Sequence, residues 1–459
     1  MRPPASARRL FSACALGLAC ALGLPALRAQ APAELPKKEI SDAASAGFAK
    51  LQPLVEAKNY PGALALVEQL LAAAPALSYD AYVLSQIQAQ VLLTQNRLIE
   101  AIAPLARAQS LAEGNPNFFD APAHLDRLYL LAQLHYQAAA EQKTPEARRA
   151  GYEKSLASVR DWFSRSGKSS AEIRLFAASL LYTLGTLDSA KPDPVSLREA
   201  VDHAREALIL STKPSGQARL LLVACLLQLG DNAGAAEHLE VLAATDPKNA
   251  SAWSQLQALY LSIAAEAKDP AAVRAANLRA LLVLERAQAL GHLASPKDHY
   301  TRVAILFNLG QFSRAAEQLE LGFAEGRIES SKRNWELLAS AYQQSDREER
   351  AIDAMSRAAA AFPQDGALEF SLAQFLYGAG RIDDAYARGR SAVEKPGLDK
   401  PGQARLYLAY LAYELQRYDE AAGWIAAARA GGDVPAATVA PLDRAITEAV
   451  AQREGLKKS

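Results

Sequence analysis

Six histidines and a single cysteine beyond the amino-terminal segment are the residues here best suited to metal ligation or nucleophilic attack. His124, His135, His203, His238, His292 and His299 never fall into H-x3-H or H-E-x-x-H spacing, so no helical turn offers two imidazoles to one ion. His292 and His299 are separated by GHLASPKDH, in which Gly291 and Pro296 break any helix that could align them. Surface or cap positions are the expected setting for the histidines. Cys225 lies in LLLVACLLQLG, an apolar helical context that favours a buried, inert thiol. Neither G-x-S-x-G nor G-x-x-x-x-G-K-[ST] occurs, so esterase and P-loop chemistry lack their first residue. The acid pairs Glu348-Glu349 and Asp383-Asp384 stand where a turn meets a helix, and negative charge there favours the helix amino terminus without any proton transfer. These residues predict no catalytic centre, no metal and no cofactor.

What the sequence does specify is helix on helix. In WELLASAYQQSDREERAIDAMSRAAAAFP, Trp335, Leu338, Ala339 and Tyr342 recur three and four apart and share one face of a helix. Ala351 and Ala358 on the next segment are small, which lets a second helix approach closely. Met355 fills the remaining gap, and Pro363 ends the pair. This order of large and small residues resembles the tetratricopeptide (TPR) repeat of 34 residues. With this unit as ruler, 296–329 places Gly310, Phe312 and Ala315 in phase, 366–399 places Leu372, Ala373, Gly380 and Ala385, and 402–435 places Leu408, Ala409, Tyr418 and Ala421. Upstream, 216–249 and the Trp253 unit follow the pattern. Two longer pairs are expected at 122–165 and 170–213, with insertions near EQKTPEARRAG and LDSAKPDPVSL. The expected fold is an all-α, right-handed α-solenoid of about ten TPR-like helix pairs. Residues 42–215 would form divergent repeats, with an ordinary helical bundle the competing reading for 110–215. Residues 216–435 would form TPR repeats, and 436–459 a capping helix and tail.

The chain has 459 residues, 50% hydrophobic and 22% charged, enough apolar material to fold and too much for a disordered tail. Arg2, Arg8 and Arg9, the apolar run Leu10–Leu24 and the small Ala29 have the layout of a secretory signal over 1–29, followed by a tether over 30–41. The alternative is an uncleaved anchor, for which the run is short. Cleavage after Ala29 would leave 46 basic and 50 acidic residues, a net charge of −4 that argues against a nucleic-acid surface. It would also leave Cys225 as the one cysteine. Localisation in a periplasm is the expectation, with membrane association only through partners or an uncleaved amino-terminal segment.

In a TPR array, positions 2, 5, 9, 12 and 13 of each first helix line the inner groove. On this chain they give a candidate protein-binding set: Tyr300, Phe307, Asn308, Arg333, Gln343, Gln344, Phe370, Gln374, Tyr377, Tyr410 and Tyr413. Aromatic rings bury area at small entropic cost and amides satisfy backbone groups, which suits a polypeptide ligand. The Lys/Asn cage by which some TPR domains grip a carboxyl-terminal carboxylate is absent. The order G-x-I-E at Gly326, Ile328 and Glu329, then W-x-L-L-A-x-A-Y at Trp335–Tyr342, Gly366, and G-L-x-x-P-x-Q-A at Gly397–Ala404 resembles periplasmic TPR proteins encoded beside ExbB, ExbD and TonB. The resemblance implies a non-enzymatic accessory of TonB-dependent outer-membrane transport. A TPR scaffold for peptidoglycan or exopolysaccharide assembly is the alternative.

Overall fold

The computed structural model describes residues 35–213 and 216–458; the signal segment and the first residues of the tether lie outside them. Among the described residues there are 21 α-helices and no strand, as the periodicity of the sequence requires. They divide into two compact units, at Ser166/Gly167.

The first unit holds three antiparallel pairs. These are α1 (Asp42–Glu56) with α2 (Tyr60–Ala73), α3 (Tyr79–Thr94) with α4 (Ile102–Gly114), and α5 (Ala121–Ala140) with α6 (Pro145–Ser166). Pro36, ahead of α1, is tied to this unit, since its carbonyl accepts from Asn115 Nδ2 at 2.9 Å and Asn117 Nδ2 at 3.1 Å.

The second unit begins with α7 (Ala171–Gly185) and α8 (Pro194–Leu210), α9 (Gly216–Gln228) and α10 (Asn232–Thr245), then α11 (Ala250–Glu266) and α12 (Pro270–Ala289). Four regular pairs follow: α13 (Pro296–Asn308) with α14 (Phe312–Ala324), α15 (Lys332–Gln344) with α16 (Glu348–Ala361), α17 (Gly366–Gly378) with α18 (Ile382–Val393), and α19 (Pro401–Glu414) with α20 (Tyr418–Ala430). Helix α21 (Ala436–Lys458) packs on α20 and α19 and buries Val439 and Ile446. No helix among the described residues is long and apolar enough to cross a membrane.

Within a pair, closeness comes from missing side-chain bulk. Ala315, Ala351, Ala385 and Ala421 are each 0% exposed, at the crossings that their sequence spacing marks. Leu338, Leu372 and Leu408 fill the space beside them, also fully buried. Seven pairs share one turn. Its second residue after the first helix takes the left-handed conformation at Lys58, Asn96, Gly230, Gly310, Asp346, Gly380 and Gln416. The next amide then reaches back to the helix, for example Gln311 N to Leu306 O at 2.8 Å and Arg417 N to Ala412 O at 2.8 Å. The three pairs that depart from it are α5–α6, α7–α8 and α11–α12; the last joins its helices through only residues 267–269, shorter than the loop its sequence led one to expect.

Neighbouring repeats are clasped by a recurring triad. Glu320 of α14 accepts from Tyr342 of α15 and from Arg357 of α16, whose guanidinium lies 4.7 Å from the Trp335 ring centre. Glu240, Tyr260 and Arg279 repeat the arrangement on α10, α11 and α12. The ion pairs are partly exposed, so each adds at most about 1 kcal/mol; the buried tyrosine is what fixes the register.

The shared turn gives a direct test. A side chain at positive φ costs about 1 kcal/mol relative to glycine, and nothing lies within 4 Å of where a Cβ on Gly310 would stand. Gly310→Ala should therefore lower, and Gln416→Gly raise, the stability of the second unit by about 1 kcal/mol each in urea unfolding. A loss on Gln416→Gly would contradict the shared turn.

Candidate functional site

The first helices of the four regular pairs carry the candidate residues. The structure brings two groups of them together. On α17 and α19, the Tyr377 and Tyr410 hydroxyls hydrogen-bond at 2.8 Å, with ring centres 5.8 Å apart and nearly perpendicular. Phe370 and Tyr377 both meet Tyr407 edge-on, at 5.4 and 6.0 Å. Four half-buried rings thus form one cluster across two adjacent repeats. The other group is a cleft of about 450 Å³ between the second and third regular pairs, lined by Gln343, Asp346, Glu348, Gln374, Phe375 and Gly378.

The remaining candidates stand apart. Phe307 packs on Phe312 at 5.5 Å and Tyr413 on Tyr418 at 5.7 Å, each across the turn of its own repeat. Asn308 donates to Asn277 at 3.3 Å. Tyr300 is half-buried, whereas Arg333 and Gln344 are exposed.

Tyr407 is the member that repeat counting passes over. Helix α19 starts at Pro401, one residue earlier than the repeat frame at 402. Helical spacing could have found it, four residues after Gln403 and three before Tyr410. Its hydroxyl oxygen is buried with no hydrogen-bond partner among the described residues. Burial, with Tyr377 beside it, pushes the Tyr407 phenol up to about 12. The Tyr410 phenol is also raised, chiefly by its hydrogen bond to Tyr377 and then by burial. The cluster thus offers apolar ring faces and, at Tyr407, one donor in search of an acceptor.

The surface-or-cap expectation for the histidines fails at His124, which is 0% exposed. The Gln109 amide lies 2.9 Å from its ring nitrogens, and Arg127, also buried, donates to Gln109 Oε1 at 3.1 Å. These partners come from α4 and α5, and no local pattern in the sequence announces their meeting. The donor atoms of Glu113, His124 and Asp161 lie within 4.8 Å of one another, a set of the kind that holds a divalent cation. Arg165 already bonds Asp161 at 2.6 Å and approaches Glu113 at 3.5 Å, so both carboxylates have a counter-charge. Burial, followed by Arg165, holds His124 below the usual imidazole range. Cys225 is fully buried, and burial pushes its thiol up to about 12, as expected of an inert cysteine.

Residues 196–260 and 370–437 match two tetratricopeptide repeat family models. Together with the succession of helix pairs, these matches make the fold an α-solenoid of TPR repeats. No curated protein matches the chain. Among solved structures, a thermophilic TPR protein of Thermus thermophilus shares 22% identity, covering 45% of this chain and 99% of its own, with a TM-score of 0.24. A tetratricopeptide repeat protein of Parabacteroides merdae shares 15% over 70% of this chain and 93% of its own, with a TM-score of 0.28. YrrB, described as a TPR protein with an unusual peptide-binding site, shares 15% over 48% of this chain and 99% of its own, with a TM-score of 0.31. Repeat arrays of this class present extended surfaces to protein partners.

The orphan hydroxyl can be tested without any partner. Tyr407→Phe keeps the ring and removes an unsatisfied buried oxygen, so it should leave the second unit as stable or about 1 kcal/mol more stable in urea unfolding. A clear loss would mean that the hydroxyl is hydrogen-bonded in solution.

Proposed function

We propose that the chain is a non-enzymatic periplasmic adaptor whose inner face, centred on Phe370, Tyr377, Tyr407 and Tyr410, holds a polypeptide segment of the TonB–ExbB–ExbD system. One observation carries the binding surface: four half-buried rings from two repeats form one cluster, and the phenol of one of them, Tyr407, lacks an acceptor. A backbone carbonyl laid across the cluster would supply that acceptor while the rings bury apolar area against the incoming chain. Gln343 and Gln374, together in the neighbouring cleft, can satisfy further backbone groups of the same segment. Support for the choice of partner is the resemblance at Gly326–Glu329, Trp335–Tyr342 and Gly397–Ala404, which falls within the same four repeats. Export by the segment 1–29 would bring the adaptor to the compartment where that system works.

The reading is tested by capturing ExbB, ExbD and TonB from envelope extracts with the wild-type chain and with the Phe370→Ala, Tyr377→Ala double variant. Growth of a deletion strain on a TonB-dependent iron source is followed in parallel. Truncating one anchoring ring should cost about 2 kcal/mol, or about thirtyfold in affinity, with helicity by circular dichroism preserved. Normal import in the deletion strain, with no member of the complex captured, would overturn the TonB assignment and leave the envelope-assembly scaffold in its place. Failed import with a double variant that binds normally would instead displace the binding surface from these rings.

A further inference from the structure

The sequence signature G-x-I-E at Gly326–Glu329 finds no use in the inner face. Its place in the fold is the wall of a separate cleft. Gly326 takes φ +67°, and the turn that it allows sends the amides of Arg327 and Ile328 back to Gly322 O at 2.9 and 3.0 Å. Ile328 is buried against Gly322, where an added Cβ would come within 2.6 Å of its side chain. The backbone of Arg327 is thereby fixed at the mouth of a cleft of about 570 Å³ formed by the end of α12, the start of α13 and the end of α14. Gln288, His299, Arg302, Gln318, Glu325 and Arg327 line it. Around α13, Arg302 lies about 140–160° from Tyr300 and Phe307, and His299 about 80–100° from them, so Arg302 stands on a different side of the helix from those two rings.

The cleft is built around incompletely paired cations. Arg302 gives one terminal nitrogen to Gln288 Oε1 at 3.3 Å and the other to Glu285 at 3.2 Å, while its Nε is buried with no partner. Glu285 must also serve Arg314, at 2.8 Å, so two guanidinium groups share one carboxylate. Arg327 pairs with Glu325 at 3.0 Å, but its side chain is 53% exposed and free to turn inward. Asp298 is held by the cap of α13, bonding Ser295 N at 3.0 Å and Ser295 Oγ at 2.6 Å. Burial, then Arg327 and Arg302, keep His299 below the usual imidazole range, with Asp298 acting in the opposite direction.

We propose that this cleft is an oxyanion site, with Arg302 and Arg327 as its donors, that takes a carboxylate of a polypeptide segment or an inorganic phosphate. An oxyanion satisfies the buried Nε of Arg302, and a guanidinium presents its donors in a planar fork matched to such a group. The volume admits a few residues of chain as readily as a small ion.

Two probes distinguish the sources: inorganic phosphate, and an acetylated, amidated tetraglutamate peptide, each titrated calorimetrically into the full chain at low ionic strength. Saturable binding is expected for at least one of them, weakened about tenfold or more by Arg302→Gln and by Arg327→Gln. It should be unchanged by Arg274→Gln, an exposed control on α12. Binding of the peptide alone assigns a polypeptide carboxylate, and binding of phosphate alone assigns a small oxyanion. Should Arg302→Gln fail to fold, the half-exposed Arg327→Gln still decides the matter. No saturable binding by either probe, or binding that survives Arg327→Gln unchanged, overturns the proposal.

Discussion

The close approach of paired helices at Ala315, Ala351, Ala385 and Ala421 is the constraint on which the second unit depends. A fully buried methyl group at each crossing lets the second helix of a pair sit deep against the first, and leucines beside it fill the remaining volume. Larger side chains there would force the pair apart by overpacking. Because these four regular pairs are built alike, their first helices are spaced alike, and residues one repeat apart come into register. Tyr377 and Tyr410 can share a hydrogen bond only for that reason. The aromatic cluster is thus a consequence of alanines lying on helix faces away from it.

Charge plays the subordinate role of fixing register. The Glu320–Tyr342–Arg357 triad and its counterpart at Glu240, Tyr260 and Arg279 each join three consecutive helices. Exposed ion pairs alone would add little, but a carboxylate that must also satisfy a tyrosine hydroxyl accepts few alternative alignments. Where the balance is incomplete, as at Arg302, the array offers chemistry instead of rigidity. On α13, Phe307 packs on Phe312 across the turn of its own repeat, while Arg302 faces the cleft with its Nε left without a partner.

Much of this was legible in the sequence because a repeat states its own rules many times over. The alternation of bulky and small residues marked each helix pair, and Gly310 and Gly380 marked turns that need positive φ. Asp346 and Gln416 fill the same turn without glycine, so only the comparison between repeats reveals it there. The candidate groove was legible as a phase, not as a set of contacts. Counting positions could not show that Phe307 and Tyr413 spend their rings on Phe312 and Tyr418, nor that Tyr407 joins the cluster from a helix that begins one residue early. The burial of His124 depends on Gln109 and Arg127 meeting it in space, and such long-range polar networks leave no periodic trace. The orphan Nε of Arg302 is of the same kind.

The central claim is that crossing geometry brings the inner-face rings of adjacent repeats into contact. Its most direct measurement is a double-mutant cycle in urea unfolding with Tyr377→Phe, Tyr410→Phe and the pair. The account predicts a coupling energy of about 0.5–1.5 kcal/mol, the net worth of one hydrogen bond between half-buried hydroxyls. Strict additivity of the two substitutions would show that the hydroxyls do not meet and would contradict the spacing of the repeats argued from the buried alanines.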